Sequence, residues 1–226
     1  MKIVAIGDIH GRDAWHRVDT SLCDKIVFIG DYVDSREGIP DQQIVQNLKD
    51  IIAFKKVYPA KVVLLLGNHD IQYLYYPEHK CSGFRNDLLD SIGGLFLKNE
   101  DLFQVAYQYQ DYLFTHAGVS KGWYTRHHGI LKKYAGENLG ETLNKVHQSV
   151  DWKVLFEVGE ARGGDYAHGG PIWADKSETQ DQSLDSLHQV VGHSRVEDII
   201  TYGDNASSIT YIDVLSTQVK FFEVQF

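Results

Sequence analysis

The sequence contains little cysteine and little proline. Its 226 residues include two cysteines, Cys23 and Cys81, and four prolines. Two cysteines without a metal-type spacing argue against a disulfide framework and a zinc finger, so we expect two free thiols. No low-complexity or proline-rich linker divides the chain. We therefore predict one domain that spans residues 1–226, a length that can bury a large core.

The sequence also lacks long apolar runs and an excess of positive charge. No apolar stretch approaches the roughly 20 residues that a membrane-spanning helix requires. The apolar run after Lys2 ends at Asp8, which is too short and too soon acidic for a signal peptide. The formal net charge of −9 argues against duplex nucleic acid as a partner, because such binding needs a basic face. We expect a soluble, cytoplasmic protein without a membrane or duplex nucleic-acid partner, and the composition leaves its oligomeric state open.

What the sequence does contain is a repeated pattern, in which short apolar runs lead into side chains that bind metals. Such runs, rich in β-branched residues and ended by glycine or a polar residue, predict buried strands. The strands of open α/β sheets present ligand sites at their carboxyl ends. The pattern therefore predicts a metal site built from several strand ends. The runs are Lys2–Ile6 before Asp8 and His10, Lys25–Ile29 before Asp31, Val62–Leu66 before Asn68, Tyr112–Thr115 before His116, and Gln189–Val191 before His193.

Other periodic segments predict how these strands are connected. Apolar residues of Asp41–Lys56 recur at helical spacing, which predicts an amphipathic helix that connects parallel strands. Phe103–Tyr109 and Tyr112–Thr115 are predicted to form a hairpin, and a helix is predicted near Leu139–Val150. Residues Ile209–Asp213 and Gln218–Val224 alternate apolar and polar side chains, which predicts a closing antiparallel pair. We interpret residues 119–175, which provide no strand end, as an insert that shapes access for the substrate.

The predicted ligand set is chemically suited to particular metals. Asp, Asn and His side chains favour Mn²⁺, Fe or Zn²⁺ over Ca²⁺ or Cu(I). Six candidates are too many for one tetrahedral ion, whereas two ions some 3.5 to 4 Å apart would use them all. Asp31, from the second strand, is the natural bridge between the two ions. Two divalent ions would also outweigh the charge of Asp8 and Asp31, and so attract a phosphate.

Five sequence blocks resemble the signature of a known superfamily, the calcineurin-like metallophosphoesterases. The Tyr32-Val33-Asp34 and His10-Gly11 segments look most like the branch of serine/threonine phosphoprotein phosphatases and their bacterial and phage relatives, which includes diadenosine tetraphosphatases. The resemblance implies an α/β (α+β) fold, a four-layer sandwich of two mixed β-sheets flanked by helices, with a binuclear metal centre at one edge. The blocks are Asp8-Ile9-His10-Gly11, Gly30-Asp31-Tyr32-Val33-Asp34, Gly67-Asn68-His69-Asp70, Thr115-His116-Ala117-Gly118 and Gly192-His193-Ser194.

The resemblance also implies a role for each of these residues. Two divalent ions are implied, with Mn²⁺ as our first expectation and Fe or Zn²⁺ as alternatives. A hydroxide that bridges them would attack phosphorus in line, His69 would protonate the leaving group, and Asp34 would pair with His69. A structural hydrogen bond is the alternative role of His69. The implied ligands are Asp8, His10 and Asp31 for the first ion, and Asp31, Asn68, His116 and His193 for the second.

One position departs from the family pattern. Ser35 stands where phosphoprotein phosphatases have an arginine that binds the phosphate. We expect Arg36 and Arg162, with Asn68, to bind the substrate phosphate instead, and Arg195 is a further candidate.

Three functions remain open at this stage. The first is hydrolysis of a phosphate monoester, of the serine/threonine protein phosphatase type. The second is hydrolysis of a dinucleoside polyphosphate, such as diadenosine tetraphosphate, or of another nucleotide. The third is a non-catalytic metal-binding scaffold, which the complete set of six ligands disfavours. The expected partner is therefore a phosphorylated protein or a nucleotide.

Overall fold

The structure of the protein, a computed structural model, describes residues 1–226 and contains ten strands. The short apolar runs form most of them, because β-branched side chains pack well on a pleated surface. The strands are β1 Lys2–Ile6, β2 Lys25–Phe28, β3 Val62–Leu65, β4 Phe103–Gln104, β5 Ala106–Tyr109, β6 Tyr112–Thr115, β7 His188–Arg195, β8 Ile200–Gly203, β9 Ser208–Asp213 and β10 Phe222–Gln225.

Seven α-helices connect or flank these strands. They are α1 Asp41–Val57, α2 Asn68–Leu74, α3 Gly94–Lys98, α4 Lys121–Arg126, α5 His128–Lys133, α6 Leu139–His147 and α7 Lys176–Thr179. Short turns of 3₁₀ helix occur at Ala14–Arg17, Thr20–Leu22, Asn86–Leu88, Glu100–Leu102, Trp152–Phe156 and Glu160–Arg162, and Leu89–Gly93 forms a π-helical turn. No helix is both long and apolar enough to cross a membrane.

The strands form two mixed sheets of five strands each. The first sheet has the order β10-β1-β2-β3-β4, and only β10 is antiparallel to its neighbour. The second sheet has the order β5-β6-β7-β9-β8, in which β6, β7 and β9 are parallel. The carboxyl ends of β1, β2 and β3 therefore lie at one edge of the first sheet. Those of β6 and β7 share an edge of the second.

Two layers of apolar contacts hold the sheets in place. Alternate residues of β1 point to opposite faces of the sheet. Ile3 and Ala5 pack between the sheets against Phe114 and Val190 of the second sheet. The opposite face of β1 belongs to the larger core that includes the buried side chains of α1. On the second sheet, α6 packs against β5 and β6. The predicted four-layer architecture, two mixed sheets flanked by helices, is confirmed.

Several predicted elements are confirmed with small changes at their ends. The predicted helix Asp41–Lys56 is α1, Asp41–Val57, and it connects β2 to a parallel β3. The strand predicted at Gln189–Val191 is β7, which is longer and runs from His188 to Arg195, so that His193 lies within it. Helix α6 ends at His147 rather than Val150.

The predicted hairpin around Gln110 is only partly correct. Strand β5 pairs with β6 as expected, but Phe103–Gln104 forms a separate strand, β4, in the first sheet. The chain changes sheets at Val105. The side chain of Asn144 in α6 accepts hydrogen bonds from the backbone N–H groups of Val105 and Ala106, each at 3.1 Å. A residue distant in sequence, Asn144, therefore stabilises the point at which the chain passes from the first sheet to the second.

The predicted antiparallel pair at the C-terminus is wrong. Strand β9 lies in the second sheet beside β7, whereas β10 pairs with β1 in the first sheet. The alternation of apolar and polar residues predicted strands here, but it carries no information about their partners. The segment between β9 and β10, which includes Ser216 and Thr217, therefore connects the two sheets. Strand β8, which pairs with β9, was not predicted at all.

Candidate metal centre

The six predicted metal ligands lie where the carboxyl ends of the strands meet. Asp8, Asp31 and Asn68 follow β1, β2 and β3 of the first sheet. The second sheet provides His116 after β6 and His193 from within β7. All of these side chains are buried or half-buried. Both sheets therefore contribute to one site.

Four residues of the site have an unusual backbone conformation. The φ angles are +44° at His10, +52° at Asp31, +63° at Asp34 and +62° at His193. This left-handed region is uncommon for residues other than glycine and carries a conformational cost. Such residues cluster at functional sites, where sharp turns aim side chains toward a shared point.

One cluster contains Asp31, Asn68, His116 and His193. Nε2 of His116 lies 3.0 Å from Oδ1 of Asn68, 3.2 Å from Nδ1 of His193 and 3.5 Å from Oδ2 of Asp31. Nδ1 of His116 donates to the carbonyl oxygen of Ile29 at 3.0 Å. Because this hydrogen bond fixes the proton on Nδ1, the lone pair of Nε2 points into the cluster.

A second cluster contains Asp8, His10 and Asp31. Nδ1 of His10 donates to the carbonyl oxygen of Val33 at 2.8 Å. This contact leaves the lone pair of Nε2 facing the two carboxylates, 3.7 Å from Asp31 and 4.0 Å from Asp8. Asp31 belongs to both clusters, which is the position expected of a carboxylate that bridges two ions.

The arrangement of these electron-rich atoms fits divalent cations. Burial lowers the pKa of His116, and it lowers the pKa of His10 to about 4, so both rings are neutral at pH 7. Burial opposes ionisation of Asp31, but the positive charge of the nearby His69 ring favours it, and the pKa of this carboxyl lies below its usual range. Neutral imidazole and carboxylate are the forms that bind metals. Carboxylates and imidazole lone pairs that converge in a buried space are costly unless a cation lies among them.

His69 and Asp34 form a hydrogen-bonded pair beside the clusters. Nδ1 of His69 lies 3.0 Å from Oδ2 of Asp34, and the ring centroid of His69 is 5.0 Å from that of His10. Burial disfavours a charged ring, but Asp31 and Asp34 outweigh it and raise the pKa of His69 to about 11. The ring is therefore an imidazolium at neutral pH, the form that can donate a proton.

Positively charged side chains line the cleft above the clusters, which has a volume of about 660 Å³. Arg36 and Arg162 are both present, together with Arg195 and Lys80. Arg36 donates to Oγ of Ser82 at 2.6 Å, and Arg162 donates to Oγ of Ser194 at 2.7 Å. Arg162 also forms an ion pair with Asp175 at 2.7 Å.

Ser35 does not line the cleft. Its hydroxyl accepts a hydrogen bond from the N–H of Glu37 at 3.1 Å, and Arg36 reaches the cleft in its place. The predicted insert 119–175 also contributes to the lining of the cleft, with Val158, Arg162, Gly163, Gly164 and Trp173.

Several residues of the site were not found from the sequence. Gln72 and Tyr73 donate hydrogen bonds to the carboxylate of Asp34. Their positions, three and four residues after His69, place them on one face of a helix, which is a usable signal. Cys81 lines the cleft within hydrogen-bonding reach of the His69 ring, and no local pattern indicates this. Asp213 also lines the cleft, and as the last residue of an alternating run it follows the strand-end pattern used for the other ligands.

Comparison with known proteins identifies the family. The family model for calcineurin-like phosphoesterases matches residues 1–207. No curated protein matches the sequence significantly. Among solved structures, a cold-active protein-tyrosine phosphatase from a psychrophilic Shewanella species has a TM-score of 0.58 at 17% identity, over 94% of this chain and 71% of its own. A protein serine/threonine phosphatase from Saccharomyces cerevisiae has a TM-score of 0.50 at 13% identity, over 93% of this chain and 67% of its own.

At these identities the solved structures show a common fold and leave the substrate undefined. The family match covers most of the chain, and its members act on phosphoesters with divalent metal ions. Groups of side chains that could hold such ions, each containing Asp31, lie at the carboxyl ends of the strands. The chain therefore belongs to the calcineurin-like phosphoesterases and is a hydrolase of phosphoesters.

Proposed function

We propose that this chain is a metal-dependent phosphatase that hydrolyses phosphate monoesters, as serine/threonine protein phosphatases do. The observation that carries the proposal is the His69–Asp34 pair, joined at 3.0 Å, whose imidazole lies within 4.8 Å of ligand atoms of His10 and Asp31. A proton donor next to a metal centre is what hydrolysis of a monoester with a poor leaving group requires.

The chain's own residues would bind two metal ions at the site. Asp8, His10 and Asp31 would hold the first ion, and Asp31, Asn68, His116 and His193 would hold the second. Two divalent ions, for which we propose Mn²⁺ with Fe or Zn²⁺ as alternatives, would when bound lower the pKa of water and neutralise charge on the phosphoryl oxygens. Backbone carbonyls accept hydrogen bonds from Nδ1 of His10 and of His116. These contacts hold each ring so that Nε2 faces the site, and the ligands are therefore preorganised for this role.

Three groups would bind and orient the phosphate. The guanidinium groups of Arg36 and Arg162 offer paired N–H donors that match the spacing of phosphate oxygens. The side-chain amide of Asn68 is available as a further donor, since its oxygen faces His116 and His193. We propose that residues 119–175, which contribute part of the cleft wall, determine which substrates reach these groups.

His69 would transfer the proton. Nδ1 of the ring is hydrogen-bonded to Asp34, so Nε2 is the nitrogen from which a proton passes to the leaving-group oxygen. The carboxylate of Asp34 stabilises the charged ring before the transfer and fixes its orientation. Loss of the proton leaves a neutral imidazole, which water can reprotonate.

The test is the rate of hydrolysis by His69→Asn with leaving groups of different pKa. We expect a loss of roughly 10²–10⁴-fold with a phosphoserine peptide. A smaller loss is expected with p-nitrophenyl phosphate, whose leaving group is more acidic and depends less on protonation. Bound metal should equal that of the wild-type protein, and His128→Asn, at an exposed histidine, is the matched control. Unchanged turnover of the peptide would refute the acid role of His69.

A second candidate, hydrolysis of a dinucleoside polyphosphate, is favoured by one feature of the cleft. Lys80 and Arg195 add two cations to Arg36 and Arg162, more than a single phosphate needs. Initial rates with diadenosine tetraphosphate and the phosphoserine peptide, measured with Mn²⁺, distinguish the two. Cleavage of the dinucleotide alone would replace our first proposal with this one.

A further inference from the structure

Asp213 lies at the metal centre, although the family resemblance assigned it no role. It is the last residue of β9 and pairs in register with Arg195 of β7, close to His193. Its side chain lines the same cleft as Asp8 and His10, yet the residue is only 2% exposed. Strand β9 therefore adds a further carboxylate at the edge where the other strand ends meet.

The carboxylate of Asp213 has an oxygen without a partner. Oδ1 is buried and accepts no hydrogen bond. The nearby Arg12 is bound to Glu37, with Nε and Oε2 3.0 Å apart, and Arg195 forms no ion pair with Asp213. A buried carboxylate oxygen without a donor or a cation is costly, so its retention requires an explanation.

The neighbours of Asp213 make this cost larger. Its side chain contacts the carboxyl group of Asp8, and Asp31 lies close enough to repel its charge. Three carboxylates thus share a space in which the charges of Arg195 and Arg12 offset only part of the effect of burial and repulsion on Asp213. Asp8 and Asp31 both belong to the cluster predicted to hold the first ion, and a divalent cation there would compensate the charge of Asp213 as well.

We propose that Asp213 is part of the metal centre and contributes its free oxygen to the coordination of the first ion, beside Asp8, His10 and Asp31. This inference rests on the proposed function, because it assumes a divalent ion in that cluster. It extends the ligand set to the end of a further strand of the second sheet.

Titration calorimetry of the chelator-stripped full-length protein with Mn²⁺ tests the proposal without substrate. We expect Asp213→Asn to weaken the binding of one of two Mn²⁺ ions by roughly 10–100-fold, the range measured when residues that support a metal site are lost. The same variant should unfold at an equal or higher temperature without metal, since it removes a repelled charge. Its stabilisation by added Mn²⁺ should be smaller than that of the wild-type protein.

Glu178→Gln provides a matched control, because Glu178 is also a buried acid with an unpartnered oxygen but does not line the cleft. Its affinities should stay within about twofold of wild type. Wild-type affinities in Asp213→Asn would overturn the proposal. Weak binding by Asp213→Ala together with wild-type binding by Asp213→Asn would also overturn it, because asparagine keeps the size and polarity of the side chain but not its charge. A wild-type protein that binds no Mn²⁺ would contradict the proposed function as well.

Discussion

At the scale of single residues, Asp34 connects the proposed acid to the rest of the fold. Its carboxylate accepts hydrogen bonds from three side chains, those of His69 at 3.0 Å, Tyr73 at 2.6 Å and Gln72. The hydroxyl of Tyr73 in turn accepts the backbone N–H of Arg85 at 3.0 Å. Because Asp34 is buried, these contacts fix the direction from which it holds the imidazole.

Tyr73→Phe should impair catalysis without impairing substrate binding. The variant removes one hydrogen bond to Asp34, worth about 1 to 1.5 kcal/mol, and so loosens the orientation of His69. We expect kcat to fall by up to roughly tenfold with an alkyl phosphate, and KM to stay near the wild-type value. Steady-state rates measure both quantities.

The size of this loss should depend on the leaving group. A p-nitrophenyl ester, which needs little protonation, should lose less than the alkyl ester. Tyr58→Phe is the control, since Tyr58 is 45% exposed at the end of α1. Equal losses with both esters would indicate that Tyr73 has only a structural role.

At the scale of elements, the turn between β3 and α2 positions Asp31. The carboxylate of Asp70 in α2 accepts the backbone N–H groups of Asp31 at 2.8 Å, Tyr32 at 2.9 Å and Gly67 at 2.8 Å. Gly67 contacts Asp31 so closely that a methyl group there would overlap its carboxylate. The end of β3 and the end of β2 are therefore locked together around the predicted bridging ligand.

Gly67→Ala should damage both stability and metal binding. The added methyl group has to displace Asp31, and such overpacking costs about 1–3 kcal/mol. Urea denaturation and Mn²⁺ titration measure the two effects. Gly129→Ala in α5, where nothing lies within 4 Å of the added carbon, should be neutral or stabilising by up to about 1 kcal/mol. Wild-type Mn²⁺ affinity in Gly67→Ala would show that metal binding does not depend on the position of Asp31.

Helix α6 contributes a pH-dependent contact to the fold. Nε2 of His147 lies 2.8 Å from the hydroxyl of Tyr75, and burial lowers the pKa of His147 to about 4. The unfolded chain binds this proton below about pH 6.5. The stabilisation that the neutral, buried His147 provides is therefore complete above about pH 6.5, and it is lost as the pH falls toward 4.

His147→Phe should reduce the acid sensitivity of the protein, because phenylalanine keeps the contact with Phe156 but has no proton to bind. Between pH 7 and pH 4, the free energy of unfolding should fall by on the order of 2 kcal/mol less than in the wild-type protein. Urea denaturation at the two pH values measures this. His16→Phe, at an exposed histidine, is the control, and parallel pH profiles for wild type and His147→Phe would contradict the expectation.

Local patterns in the sequence predict elements better than they predict neighbours. Periodicity correctly indicated α1 and the strands that precede Asp8, Asp31 and Asn68, because each depends on residues within a few positions. The partners of β9 and β10 depend on contacts with distant strands, so the predicted C-terminal pair was wrong. The contacts of Cys81 and Asp213 with the site likewise arise only when loops and strands meet in the folded chain.

At the scale of the whole molecule, the candidate centre joins the two sheets. Asp31 and Asn68 come from the first sheet, His116 and His193 come from the second, and Nε2 of His116 lies within 3.5 Å of a ligand atom of each of the other three. Divalent ions bound here would cross-link the sheets at the edge where the cleft opens. A ligand that binds only the folded state at 100 times its Kd stabilises it by about 2.7 kcal/mol, so metal binding should also be measurable as a rise in Tm.

The most direct test of the account is the metal dependence of phosphomonoester hydrolysis by chelator-stripped protein. We predict that the stripped protein is inactive, that about two equivalents of Mn²⁺ restore hydrolysis of a phosphoserine peptide, and that His116→Asn, which removes a predicted ligand of the second ion, is not restored. Hydrolysis that persists without metal, or a protein that binds no divalent ion, would contradict the binuclear centre on which the proposed function depends.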